Sequence, residues 1–171
     1  MIRDATEADV DAIAHVHVTA WRETYPGIMP PEILDSLDAS RRAAQWLRWF
    51  AAHASSRRQV LAVREMDGDV VGFASGAISD GSNEAELETL YLLRRVQGHG
   101  DGRRLFAHVA AGLTDLGASS LVLWVADGNP TADFYAHLGG VITATEDKPF
   151  GPYTITEHRY RWEDIRTLFA R

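Results

Sequence analysis

Cysteine is absent from the 171 residues, which removes disulfide frameworks, thiol nucleophiles, iron–sulfur clusters and cysteine zinc sites together. An excess of positive charge is missing as well. The 24 acidic and 17 basic side chains leave a net charge of −7, so phosphate-neutralising nucleic-acid binding is not expected. Lysine is nearly absent: of the 17 basic residues, Lys148 is the single Lys and the rest are Arg, a skew we read as codon usage rather than chemistry. No apolar run approaches the roughly 20 residues that a membrane span requires. The start, from Met1 to Glu7, has no apolar signal core. These absences give the expectation of a soluble, cytoplasmic protein without membrane or nucleic-acid partners. No metal site is expected either, because there is no His-Glu-x-x-His, and His15 and His17 point to different sides of a helix. Ser75 lacks the glycines of a nucleophile elbow.

What is present is ordinary for a globular chain, at 46% hydrophobic and 24% charged, which excludes disordered and fibrous classes. No linker or repeat divides residues 1–171, so one domain is expected. A short strand is predicted over 2–5, followed by a helix over 7–21, with Thr6 as N-cap and Asp9 completing an approximate capping box. Pro31 opens a helix through 37, and another helix covers 39–52. The period then changes to strands at 59–64, 70–78 and 84–93, with Asp67-Gly68 as a hairpin signal. A glycine-rich turn, 98–102, precedes a helix over 103–116. A buried strand over 121–125, a helix over 129–138 and strands over 141–145 and 154–162 complete an α/β chain with a mixed sheet.

The strand-loop-helix junction carries the chemistry. Gln97-Gly98-His99-Gly100-Asp101-Gly102 lets backbone approach a ligand closely, and the following helix offers unpaired N–H groups suited to a pyrophosphate. No Gly-Lys-Ser/Thr follows, so it is not a P-loop, and its late position makes a poor dinucleotide fingerprint. About 30 residues on stands Asn129-Pro130-Thr131-Ala132-Asp133-Phe134-Tyr135-Ala136-His137-Leu138-Gly139. Together these segments resemble the GNAT-type N-acetyltransferase superfamily: Gln97, Gly100 and Gly102 fill the places of its Gln/Arg-x-x-Gly-x-Gly/Ala loop. The later segment matches its Asn-x-x-Ala-x-x-x-Tyr-x-x-x-Gly helix, and the order of elements fits over nearly the whole chain. Three positions depart from the pattern. Asp101 stands where an apolar residue is usual, so that either its carboxylate points away or the affinity for CoA falls. Arg94 replaces a proline, and Gly140 an apolar residue.

The resemblance implies a mostly antiparallel mixed sheet flanked by helices, acetyl-CoA as donor, no metal, a small-molecule amine acceptor, and direct transfer in a ternary complex. It leaves open a peptide or protein amine, a non-catalytic acyl-CoA-binding module, and assembly as a homodimer. It assigns pantetheine contacts to the backbone of Leu90, Tyr91 and Leu92. Gln97, Gly98, His99, Gly100, Asp101, Gly102 and Arg103 would cradle the pyrophosphate, with Arg104 as a further phosphate or ribose partner. Asn129 caps its helix and is also a candidate for the pantetheine. Tyr135 matches the tyrosine that serves the departing sulfur. Glu86, eleven residues before Gln97, matches a general base, and Glu88 would share its face of the strand unless a bulge intervenes. Trp21, Glu23 and Tyr25 are expected at the acceptor, with Trp46 and Trp49 on the next helix; an aromatic lining with a carboxylate suits a cationic amine.

Overall fold

The computed structural model describes residues 1–53 and 58–169. Among the described residues there are seven strands: β1 (Ile2–Asp4), β2 (Gln59–Met66), β3 (Asp69–Ile78), β4 (Glu84–Leu92), β5 (Ser120–Ala126), β6 (Val141–Phe150) and β7 (Tyr153–Trp162). The helices are α1 (Val10–Thr24), α2 (Pro31–Asp35), α3 (Ala39–His53), α4 (Asp101–Asp115) and α5 (Ala132–His137). One sheet holds the strands in the order β1-β2-β3-β4-β5-β7-β6. Its neighbours are antiparallel except β4 and β5, which run parallel. The expected mixed, mostly antiparallel sheet flanked by helices is therefore the one observed.

The β2–β3 turn shows why short-range signals were legible. Asp67 (φ 53°) and Gly68 (φ 89°) both adopt the left-handed conformation that a two-residue turn requires between twisted strands. β6 differs from expectation, running to Phe150 rather than 145. Lys148 and Pro149 read as a loop, but β6 lies at the sheet edge, where a residue without an N–H is tolerated. α4 begins two residues earlier than predicted because Gly100, at φ 81°, caps it in the left-handed region.

Each face of the sheet buries its own core. α4 lays Leu105, Phe106, Val109 and Leu113 against Ala74, Leu87, Leu121 and Leu123. On the other face, α1 and α3 pack Ile13, Ala14 and Trp46 against Val63, Val71 and Phe73. His17 is built into this second core, with its ring 5.0 Å from Tyr91, 5.4 Å from Phe73 and 6.1 Å from both Trp21 and Trp46. Its Nδ1 finds no hydrogen-bond partner among the described residues. Burial, with help from the Arg42 charge, holds its pKa down to about 3 from 6.5. The neutral ring is thus the folded form. Below pH 6.5 the unfolded chain binds a proton that the folded chain refuses, so stability contributed by this site declines as pH falls. His17→Phe keeps the ring packing and removes the titration. Relative to wild type, it is expected to gain about 1.4 kcal/mol per pH unit below pH 6.5 in urea unfolding followed from pH 7 to pH 5.

Candidate active site

The parallel pair β4–β5 is hydrogen-bonded only at its start, where Glu84, Ala85 and Glu86 face Ser120, Leu121 and Val122. Beyond Glu86 the two strands part. β4 remains attached to β3 as far as Leu92, and β5 to β7 as far as Ala126, so the sheet opens as a wedge with strand edges on both sides. A cleft of about 390 Å³ fills the wedge and continues to the glycine loop. At Glu88 the β3–β4 register shifts: Leu87 pairs with Gly76 and Thr89 with Ser75, leaving Glu88 as the extra residue of a β-bulge. A bulge re-aims side chains, so the simple alternation expected for Glu86 and Glu88 does not hold. Glu88 is exposed, lines the cleft and accepts a 3.3 Å hydrogen bond from Ser75 Oγ. Glu86 is half-buried and does not line it. Burial raises its pKa from the ordinary 4.5, opposed by the charges of Lys148 and Arg159.

The loop ends the cleft. Gly98 and Gly100 both have φ near 81°, and no side chain caps the first turn of α4, which leaves N–H groups open to an anion. A Cβ on Gly102 would stand 3.3 Å from Leu92 Cδ1 and 3.7 Å from the Phe134 ring, so glycine keeps the throat clear there. Gln97 Nε2 donates to the Leu92 carbonyl at 2.8 Å and ties the loop to the strand end. Gln97, Gly98, Gly100, Gly102 and Arg103 line the cleft with Leu90, Tyr91 and Leu92. His99 is exposed and lies outside the lining, its carbonyl accepting from Arg104 at 3.1 Å. The Asp101 side chain also lies outside. It is 3% exposed, turned into the protein, with Arg64 Nε and Arg104 Nη1 each 3.0 Å from Oδ1. Two guanidinium groups neutralise it, so repulsion of a ligand phosphate does not arise.

Across the wedge, Asn129 is 7% exposed. Its Oδ1 accepts from Thr131 N (2.9 Å) and Thr131 Oγ1 (2.8 Å), and its Nδ2 donates to Tyr25 Oη at 3.4 Å. It thereby holds the entry of α5, which begins at Ala132 rather than at Asn129 itself. Tyr135, buried at 6% exposure, lines the cleft with Tyr25 and Tyr91. Burial pushes the pKa of all three phenols upward, so they keep their protons. Trp21 is half-buried, 4.7 Å from Tyr25 and stacked 6.3 Å from Phe150. Glu23 is placed differently from expectation: its carboxylate accepts from Arg94 N at 2.8 Å, fastening α1 to the end of β4, and it lies outside the cleft. Trp46 and Trp49 belong to the second core. Trp124 lines the wedge as well, although a Trp inside an apolar strand reads from sequence as core. Lys148 Nζ lies 3.2 Å from the centre of its ring.

This cleft fits an acyl-CoA: it offers a strand edge to an extended arm, and an uncapped helix start with a glycine loop to phosphates. The architecture is that of an acyl-CoA-dependent transferase. Residues 12–139 match the acetyltransferase (GNAT) family, and the chain belongs to it as an acetyl-CoA-dependent N-acetyltransferase. It is similar to YuaI of Bacillus subtilis, an uncharacterized N-acetyltransferase, with 32% identity across 98% of this chain and 95% of that one. Among solved structures, the PaiA N-acetyltransferase of Thermoplasma acidophilum in complex with coenzyme A superposes with a TM-score of 0.74. That match has 19% identity and covers 95% of this chain and 98% of that one. The ribosomal-protein-alanine N-acetyltransferase of Brucella melitensis gives 0.73, with 23% identity over 95% and 98%. These last two likenesses speak for the fold.

The position of Asp101 gives a test. Asp101→Ala leaves Arg64, only 14% exposed, without its counter-charge and is expected to cost about 3 kcal/mol of stability in urea unfolding. Acetyl-CoA affinity, measured where both proteins are folded, should be little changed, and Asp101→Ile should not improve it.

Proposed function

We propose that the protein transfers the acetyl group of acetyl-CoA to a primary amine of a small molecule, by direct attack with both substrates bound. The observation that carries the choice of acceptor is the contact of the β6–β7 hairpin with the first helices on the face opposite α4. The tip of the β6–β7 hairpin reaches the first helices: Phe150 stacks on Trp21 at 6.3 Å, and Tyr153 Oη donates to Glu32 Oε2 of α2 at 3.4 Å. A hairpin resting on the helices restricts that side and favours a small amine, whereas a peptide needs an open groove. An amine-panel screen with acetyl-CoA, following free thiol release, tests the reading. Turnover of small alkyl amines is expected, and turnover confined to peptides would overturn the choice.

The donor supplies an activated acyl carbon and a thiolate leaving group. The Leu90, Tyr91 and Leu92 backbone would hold its pantetheine arm, and residues 97–103 its pyrophosphate, with Arg103 as the loop cation on the cleft. The alkyl amine must lose a proton to attack, because its pKa lies near about 10. Glu86, whose pKa burial raises, takes that proton through a water, since its side chain does not line the cleft, and Glu88 at the bulge holds the cation at the cleft. Tyr135 keeps its proton firmly, so its role is to donate a hydrogen bond to the sulfur as negative charge builds there, an interaction stronger in the transition state than before it.

Tyr135→Phe preserves the ring that packs 6.2 Å from Phe106 and 5.2 Å from Phe134. Turnover is expected to fall on the order of 10²-fold, or about 3 kcal/mol of barrier, with acetyl-CoA affinity and melting temperature retained. Initial-rate kinetics paired with a binding isotherm check this. Glu86→Gln should lower kcat/KM most near neutral pH, where the amine is protonated and the carboxylate ionised. The defect should shrink as pH approaches the amine's own pKa, and a pH–rate profile of both proteins reads it.

A further inference from the structure

Lys148 stands on the edge strand β6, yet its ammonium crosses β7 to reach β5. There Nζ lies 3.2 Å from the centre of the Trp124 ring and 3.0 Å from Glu157 Oε2 of β7. Trp124 lines the wedge from which an acetyl group would be delivered, and Lys148 is the charge acting most strongly on Glu86. An aromatic face, a carboxylate at ion-pair distance and a second carboxylate nearby are what recognition of a primary alkylammonium requires. In this structure that place is taken by the chain's own primary ammonium, the only one its lysine content provides.

The geometry points to Lys148 as a self-acetylation site: without an external acceptor, the protein transfers an acetyl group to its own Lys148 Nζ. This rests on the donor reading above. Glu157, at 3.0 Å, accepts the ammonium proton. The freed nitrogen forms an N–C bond to the acyl carbon and then loses a second proton, the C–S bond breaks, and the leaving thiolate takes up that second proton, giving a neutral amide and free CoA. The product carries no charge, so the ion pair with Glu157 and the cation–π contact with Trp124 are both lost. The ammonium place is then vacant for an external amine, which links self-modification to acceptor binding.

The chain's lysine count makes the test sharp. Purified full-length protein is incubated with acetyl-CoA alone and followed by intact mass and peptide mapping. The expected result is one acetyl group at Lys148, gained at a first-order rate independent of protein concentration and suppressed by excess free CoA or by an added alkyl amine. Lys148→Arg keeps the charge on an exposed edge strand and should gain none there. Lys148 left unmodified while the same preparation releases thiol with an added amine would overturn the inference and leave the acetyltransferase reading standing. Acetylation that free CoA does not suppress would overturn it as well, being uncatalysed chemistry. Failure to release thiol with any amine, small or peptide, would remove both.

Discussion

Everything at the site depends on a pairing that stops. β4 and β5 share hydrogen bonds over three residues and then separate, each kept in the sheet by an antiparallel neighbour on its outer side. Unpaired backbone is costly when buried, so a parting of this kind persists only where solvent or a ligand reaches the strand edges. The bulge at Glu88 and the Gln97 bond to the Leu92 carbonyl stand along the parted strand and shape it. The cleft is therefore a consequence of sheet topology, and its polar edges are main-chain groups that substitutions other than proline leave in place.

The electrostatics follow the same economy. In a protein of net charge −7, the groups that the proposed reading turns toward a polyanionic donor are main-chain N–H groups at the start of α4 and Arg103 on the cleft. Its one carboxylate in the loop is withdrawn. Asp101 faces Arg64 and Arg104 at 3.0 Å each, and so joins β2 to α4 beneath the loop. Glu23 is used comparably, fastening α1 to the chain just past β4 through Arg94. Two acidic residues that look poised for ligands thus hold the frame around the cleft, while Glu86 and Glu88 stay at the parted strand.

The second face has its own logic. His17 lies among four aromatic rings and is held neutral by burial. The same aromatic belt runs on through Tyr91, Tyr25 and Trp21 to Phe150 at the hairpin tip. These rings form a continuous aromatic wall from the second core to the hairpin tip.

Local signals in the sequence carried the element order, the Asp67-Gly68 turn, the loop from Gln97 to Gly102 and the spacing of Asn129 to Tyr135. These depend on contacts within a few residues, where backbone conformation and helical or strand period are written directly in residue type. The parting of β4 from β5, the bulge that sets Glu88 apart from regular alternation, the withdrawal of Asp101 and Glu23, and the seating of Lys148 on Trp124 were decided by the tertiary structure. Each rests on partners far away in the chain: Glu23 with Arg94, Arg64 with Asp101, Trp124 with Lys148. A sequence states which charges and rings are available, but which of them meet is settled only when the sheet brings distant strands to one face.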